Sequence, residues 1–149
     1  MRTPRPVSII TTVVIVALGL GGMAITGLTE ADDVGTSLRR APRPEVAAAG
    51  REAADFLDEY VTAEGRVVRY DQGGDTVSEG QAYAMLLAVG SDDEARFATI
   101  WDWTEQNLQR SDWLLAWQWA DGGVVDEAPA ADADLDAAWA LTLAEERWP

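Results

Sequence analysis

The chain has 149 residues, and its 26 acidic and 11 basic side chains give a formal charge of -15. This charge argues against a nucleic-acid partner, because phosphates would be repelled. Histidine and cysteine are absent and every basic residue is arginine, which excludes Ser-His triads, thiol catalysis, disulfides, Schiff-base lysines and most zinc sites. Carboxylates in a single domain are the remaining candidates for catalysis, and neither a metal nor an organic cofactor is predicted.

The first predicted element is an apolar helix near the N-terminus. Arg2 and Arg5 precede an uncharged run from Ile9 to Leu28. A positive start followed by an apolar stretch is typical of secretory signals, although a run of ~20 residues also suits a membrane anchor. Residues 1–31 are therefore predicted to be a signal peptide or an anchor, with residues 9–28 as the only contact with a membrane. A buried core helix is the remaining alternative. The first two interpretations place the rest of the chain outside the cytoplasm, secreted or extracytoplasmic.

Composition changes twice after this run. Residues 32–44 are polar and predict a linker, and residues 45–149 predict the folded domain. Its first helix is predicted over 45–61, where apolar residues recur at helical spacing. An extended stretch over 66–70 and a loop over 71–75 follow.

The next two predicted helices are separated by a short turn. The first has Thr76 and Ser78 as candidate N-caps and stops at Gly90. The second begins with a capping box made by Ser91 and Glu94. Its buried stripe is predicted to contain Phe97, Ile100, Trp101, Thr104 and Leu108.

The last third of the chain holds all seven tryptophans. Leu115, Trp117 and Trp119 alternate with other residues, which predicts a short strand. A turn over 121–123 follows, and a last helix is predicted over 132–148. The expected fold is all-α, with a Trp-rich strand or hairpin.

Two acidic motifs flank the predicted strand. The first is Ser-Glu-Gly-Gln-Ala-Tyr-Ala-Met at 78–85, and the second is Ala-Asp-Ala-Asp-Leu-Asp at 131–136. In this order they resemble glycoside hydrolase family 8, which contains bacterial endoglucanases, chitosanases, lichenases and some xylanases. The resemblance covers roughly 45–149. It implies a partial (α/α)6 barrel, about four of its twelve helices, and an inverting hydrolase acting on a polysaccharide, either β-glucan or chitosan.

Glu79 matches the family's general acid. The chemistry needs a protonated carboxylic acid beside the glycosidic oxygen. Tyr83 lies one turn later and is a candidate for binding substrate. The residues alone leave another interpretation open, because Glu79 follows Thr76, and Gln81 follows Ser78, at the spacing of a capping box.

Asp132 matches an aspartate that binds and distorts the sugar next to the scissile bond, and Asp134 is a candidate for binding substrate. Alternatively, Asp132, Asp134 and Asp136 are first-turn acids favoured by the helix dipole. An EF-hand calcium loop is excluded, because Ala137 and Leu143 stand where it requires Gly and Glu.

Aromatic faces suit the apolar faces of pyranose rings. Trp117 and Trp119 are predicted to bind substrate, and Trp117 aligns with a tryptophan in the family's equivalent strand. Trp101 and Trp139 lie on helical stripes and favour core packing. Further stacking candidates are Trp103 and Trp113.

A complete barrel of this kind needs roughly 190 residues, more than residues 45–149 provide. The family's general base lies downstream of the second motif, so the chain resembles the N-terminal third to half of such an enzyme and is expected to be inactive alone. Two alternatives remain. One is a non-catalytic carbohydrate-binding or membrane-tethered helical module that makes no use of Glu79, and the other is a gene product without a stable fold.

Overall fold

A computed structural model describes residues 44–149, which form four α-helices and a small antiparallel sheet. The predicted signal or anchor over 1–31 and most of the predicted linker lie outside the described residues. No helix within 44–149 is long and apolar enough to cross a membrane. The helices are α1 (Pro44–Tyr60), α2 (Ser78–Gly90), α3 (Glu94–Leu108) and α4 (Ala131–Arg147), and the strands are β1 (Thr76–Val77), β2 (Gln118–Ala120) and β3 (Gly123–Asp126). The prediction of an all-α domain with a hairpin is confirmed.

Helix α2 is the centre of the domain and packs against the other three helices. It has no strongly polar face, because small and aliphatic residues, interrupted only by Tyr83, fill the stretch from Ala82 to Ala88. Its most extensive neighbour is α4, whose buried side chains are all alanines at helical spacing. Small side chains let the two helix axes approach closely, and this fixes the separation between residues on their facing sides. The alanines of α4 are Ala133, Ala137, Ala140 and Ala144.

A fully buried glutamine connects α2 to its surroundings. The side-chain oxygen of Gln81 accepts a hydrogen bond from Val67 N at 2.6 Å, and its amide donates to Thr104 Oγ1 at 2.6 Å and to Gly65 O at 3.2 Å. The predicted capping box of Gln81 with Ser78 is wrong, because the side chain turns into the core. There it bonds to Thr104 of α3 and satisfies backbone groups of a neighbouring loop, Val67 N and Gly65 O, that would otherwise be buried without partners.

Helix α2 begins without a side-chain cap. Its N-cap residue is Val77, which is extended. The caps predicted at Thr76 and Ser78 are wrong. Thr76 lies in β1 and its hydroxyl donates to Val67 O at 2.6 Å, while Ser78 is the first residue of the helix. The capping box of Thr76 with Glu79 is therefore also absent, and the Glu79 carboxyl is free for other contacts.

Helix α3 is capped by a different residue from the one predicted. The side chain of Asp93 accepts from Arg96 N at 3.0 Å, which is a standard N-cap contact. The predicted capping box of Ser91 and Glu94 is wrong, because the Ser91 hydroxyl instead donates to Leu87 O at the end of α2.

The segments between the helices are less regular than predicted. Residues 66–70 form only isolated bridges, and a 3-10 helix, Tyr70–Gln72, occupies part of the predicted loop. Strand β2 pairs antiparallel with both β1 and β3. Asp121 and Gly122 have φ of 52° and 88°, as a two-residue type I′ hairpin turn requires, which confirms the predicted turn.

Candidate active site

The carboxyl group of Glu79 lies in the first turn of α2 and is half-buried. Its Oε1 accepts a hydrogen bond from Trp117 Nε1 at 3.1 Å, and its Oε2 accepts one from Ser78 Oγ at 3.3 Å. The two oxygens therefore have different partners.

The backbone around Trp117 is tied to the start of α2. Ser78 N donates to Trp117 O at 3.0 Å, and Gln118 pairs with Val77 in the sheet. The segment that carries the indole and the segment that carries Glu79 are thus hydrogen-bonded neighbours. The sequence predicted Trp117 only as a surface for stacking sugars, because nothing local indicates a partner 38 residues away.

Tyr83 lies one turn after Glu79 on α2, and Asp132 and Asp136 lie one turn apart on α4. Burial raises the pKa of the Tyr83 phenol, and the negative charges of Asp136, Asp132 and Glu79 raise it further. Three carboxylates, from both acidic motifs, are therefore within electrostatic reach of one hydroxyl group. Asp132 is exposed and the other three residues are half-buried, so the site is open to solvent.

Asp136 is a member of this group that the sequence analysis assigned to the helix dipole. Burial raises its pKa, and the charge of Asp132 adds to the effect. The signal that could have found it is the four-residue spacing, which puts Asp132 and Asp136 on the same face of α4.

The carboxylate of Asp134 contacts the backbone of the loop before β2. Its Oδ1 accepts a hydrogen bond from Leu115 N at 2.8 Å, so this carboxylate anchors the loop that leads into β2. Its role in binding substrate stays a prediction. The contact does connect the second acidic motif to the segment that carries Trp117.

Trp119 is half-buried and already has neighbours on its ring. The guanidinium carbon of Arg66 lies 4.9 Å from the ring centroid, and Trp103 packs edge-on with ring centroids 5.5 Å apart. One face of the Trp119 ring is therefore covered by a cation. A sugar could stack only on the part of the ring that Arg66 and Trp103 leave uncovered.

The other tryptophans differ in exposure. Trp101 packs against the main core, as predicted. The core position predicted for Trp139 is wrong, because its side chain is 43% exposed on the side of α4 away from the alanines. Trp113 is 78% exposed in the loop after α3.

A second network braces the start of α2 against the strand segment. The buried carboxylate of Asp75 accepts from Arg69 Nε at 2.8 Å, from Arg69 Nη2 at 2.5 Å and from Gln118 Nε2 at 2.5 Å. Burial by itself would raise the pKa of Asp75, but the hydrogen bonds from Arg69 and Gln118 outweigh it and hold the pKa below its usual value. Asp75 therefore favours the folded state when it is ionised.

Replacing this carboxylate should make folding stability less dependent on pH. An unfolded Asp75 binds its proton at higher pH than the folded one, so its stabilisation is present above about pH 4 and is lost as pH falls through the folded pKa. We expect Asp75→Asn to lower the free energy of unfolding by about 2–4 kcal/mol at pH 7, and by about 1 kcal/mol less near pH 3. Urea unfolding of the full chain at both pH values measures this.

The matched control is Asp112→Asn, which removes an exposed ion pair with Arg110. Exposed pairs contribute little, so this variant should unfold almost like the parent at both pH values. Equal losses at pH 7 and pH 3 for Asp75→Asn would contradict the assignment.

Comparison with known proteins confirms the family that the sequence resembles. The sequence profile described as glycosyl hydrolases family 8 matches residues 44–149. The chain belongs to this family. A probable endoglucanase from Novacetimonas hansenii is 39% identical over 111 residues, which cover 72% of this chain and 32% of that protein. An endoglucanase from Escherichia coli K12 is 37% identical over 102 residues, covering 62% of this chain and 28% of that protein.

Solved structures of family 8 share the fold. An endo-beta-1,4-glucanase from Acetobacter xylinum aligns with a TM-score of 0.63 at 37% identity, covering 66% of this chain and 32% of that one. An endoglucanase from Komagataeibacter sucrofermentans aligns with a TM-score of 0.64 at 39% identity, with the same coverage. The chain thus spans about a third of the length of the relatives it matches. The four helices of residues 44–149 are part of an (α/α)6 barrel, as the resemblance implied.

Proposed function

We propose that residues 44–149 provide the general-acid side of an active site that hydrolyses β-1,4-glucan. The observation that carries this proposal is the position of Glu79, whose carboxyl group is held by Trp117 and shares the surroundings of Tyr83 with Asp132. The matched relatives support the reaction class, since they are named endoglucanases and one is an endo-beta-1,4-glucanase.

In this proposal Glu79 protonates the glycosidic oxygen as the bond to the sugar's anomeric carbon breaks. The transition state resembles an oxocarbenium ion, so positive charge develops on the sugar ring. The carboxylates of Asp132 and Asp136, whose charges act on Tyr83 together with that of Glu79, would stabilise that charge. Asp132 would also bind the sugar next to the scissile bond. An inverting reaction needs a further carboxylate, roughly 6.5–9.5 Å from the acid, to activate water on the opposite face of the sugar.

The residues 1–149 alone should show little hydrolysis, since they span 32% of the Novacetimonas hansenii relative. A missing general base typically costs about 10²–10⁴ in rate. Joining residues 44–149 to the remaining two thirds of that relative should restore hydrolysis of β-1,4-glucan. Release of reducing ends from carboxymethylcellulose, compared between the two proteins, measures this.

The same assay with chitosan distinguishes the two predicted substrates. The formal charge of -15 is compatible with both substrates. It does not repel a neutral glucan, and it attracts cationic chitosan. We expect glucan to be preferred.

Hydrolysis at an ordinary enzymatic rate by residues 1–149 alone would contradict the proposal and would point to Asp126 or Asp136 as the base.

Export of the chain is a further proposal, and it rests on sequence alone. Residues 1–44 fused to a reporter should deliver it outside the cytoplasm, because Arg2 and Arg5 precede an apolar run. Val16→Asp places a charge in that run and should block export, whereas the control Val16→Leu should not. Reporter activity in the cytoplasm and outside it measures both. Retention of the unaltered fusion in the cytoplasm would contradict export.

A further inference from the structure

We propose that Trp117 is a positioning residue for Glu79. Its indole N–H holds one carboxyl oxygen, Oε1, so that the proton of the acid resides on the other oxygen, Oε2. This inference rests on the proposed role of Glu79 as the general acid, and it adds to that role the residue that determines which oxygen faces the glycosidic bond.

The two oxygens of Glu79 have chemically different partners. The indole of Trp117, 3.1 Å from Oε1, is a donor only and cannot accept a proton from that oxygen. The hydroxyl of Ser78, 3.3 Å from Oε2, can either donate or accept. Oε2 therefore keeps a favourable partner when it is protonated, because the Ser78 hydroxyl can rotate to accept from it. Ser78 is fully buried, which keeps this hydroxyl beside the carboxyl group.

A fixed partner matters because the carboxyl group cannot orient itself. The last torsion of a glutamate side chain is broad and roughly two-fold, so free oxygens would exchange places readily. The indole is held by its own backbone, since Ala116 N donates to Leu108 O at 2.8 Å and Trp117 O accepts from Ser78 N at 3.0 Å. A misplacement of about 1 Å in an active site can cost about 10²-fold in rate, so the hydrogen bond has consequences for turnover.

The chain contains a matched contact far from the site. Trp148 Nε1 donates to Asp92 Oδ1 at 3.3 Å, at the C-terminal end of α4. This is also an indole bonded to a carboxylate, and it provides an internal control for measurements on Trp117.

The test is nuclear magnetic resonance of the indole N–H groups in the ¹⁵N-labelled full chain, with Trp117 and Trp148 assigned by substitution to Phe. We expect the Trp117 indole proton to shift with the ionisation of Glu79 as pH is varied. Glu79→Gln keeps an oxygen acceptor but removes the ionisation, so it should abolish this pH-dependent step while the Trp148 resonance still follows Asp92. Arg69 and Tyr83 also sense the charge of Glu79, but their own ionisation remains in the variant. A Trp117 resonance that does not respond to pH, or that responds equally in Glu79→Gln, would overturn the proposal.

Trp117→Phe separates positioning from sugar stacking, because phenylalanine keeps an aromatic face and loses the N–H group. In the chimera with the Novacetimonas hansenii relative, we expect kcat to fall about 10- to 10²-fold with little change in KM. An unchanged kcat would overturn the positioning role. A failure of the general-acid role would look different. The indole resonance would still follow the ionisation of Glu79, but Glu79→Gln would leave hydrolysis unchanged.

Discussion

Replacing Gln81 by Met should lower the free energy of unfolding by about 3 kcal/mol and the melting temperature by more than about 10 °C. The glutamine is fully buried and bonds to Val67 N, Thr104 Oγ1 and Gly65 O. Methionine has a similar shape but can replace none of these hydrogen bonds. Each buried group left without a partner costs about 1–3 kcal/mol. Thr104 keeps its hydrogen bond to the backbone of α3, so the losses fall mainly on the backbone groups of residues 65 and 67.

Gln106→Met is the matched control, because Gln106 is exposed on α3. Surface substitutions of this kind usually change stability by less than about 0.5 kcal/mol. Thermal and urea unfolding of both variants measures the difference. A loss below about 1 kcal/mol for Gln81→Met would show that the network around Gln81 contributes little beyond packing.

Local patterns predicted the helices well. The N-cap candidates and Gly90 placed the predicted helix close to the observed α2, Ser78–Gly90, although the caps themselves were wrong. The Asp-Gly turn was also predicted, because a two-residue hairpin depends on residues that tolerate positive φ. These features depend on neighbours in the sequence and little else.

The helix caps were predicted wrongly because tertiary contacts compete for the same hydroxyl groups. Thr76 donates to Val67 O, and Ser91 donates to Leu87 O, so neither is available as a cap. The error at Trp139 has a similar origin. Helix α4 buries its alanine face against α2, and periodicity alone cannot tell which of two apolar faces is the buried one.

The two acidic motifs could be found in the sequence, but the contacts that their side chains make could not. Glu79 and Asp132 were recognisable from the residues around them. The hydrogen bond from Trp117 to Glu79 joins segments 38 residues apart, and it exists only because β1 and β2 pair. The same pairing brings Asp75 next to Gln118, which no local pattern indicates.

The loss of the general acid should have the largest effect on activity. In the chimera with the Novacetimonas hansenii relative, Glu79→Gln should lower kcat for β-1,4-glucan by about 10²–10⁴. Glutamine keeps the shape of the side chain and an acceptor for Trp117, but it has no acidic proton to transfer to the leaving oxygen. Binding of cello-oligosaccharides should be nearly unchanged, because the substitution removes an interaction made in the transition state.

The most direct test of this account compares the hydrolysis rates of three chimeras: the parent, Glu79→Gln, and Glu105→Gln, which makes the same change at an exposed position on α3. Release of reducing ends from carboxymethylcellulose gives the rate, and calorimetry with a cello-oligosaccharide shows that binding is intact. We predict that Glu105→Gln matches the parent while Glu79→Gln loses about 10²-fold or more. A Glu79→Gln chimera that hydrolyses glucan within a few-fold of the parent would contradict the central claim that Glu79 is the general acid.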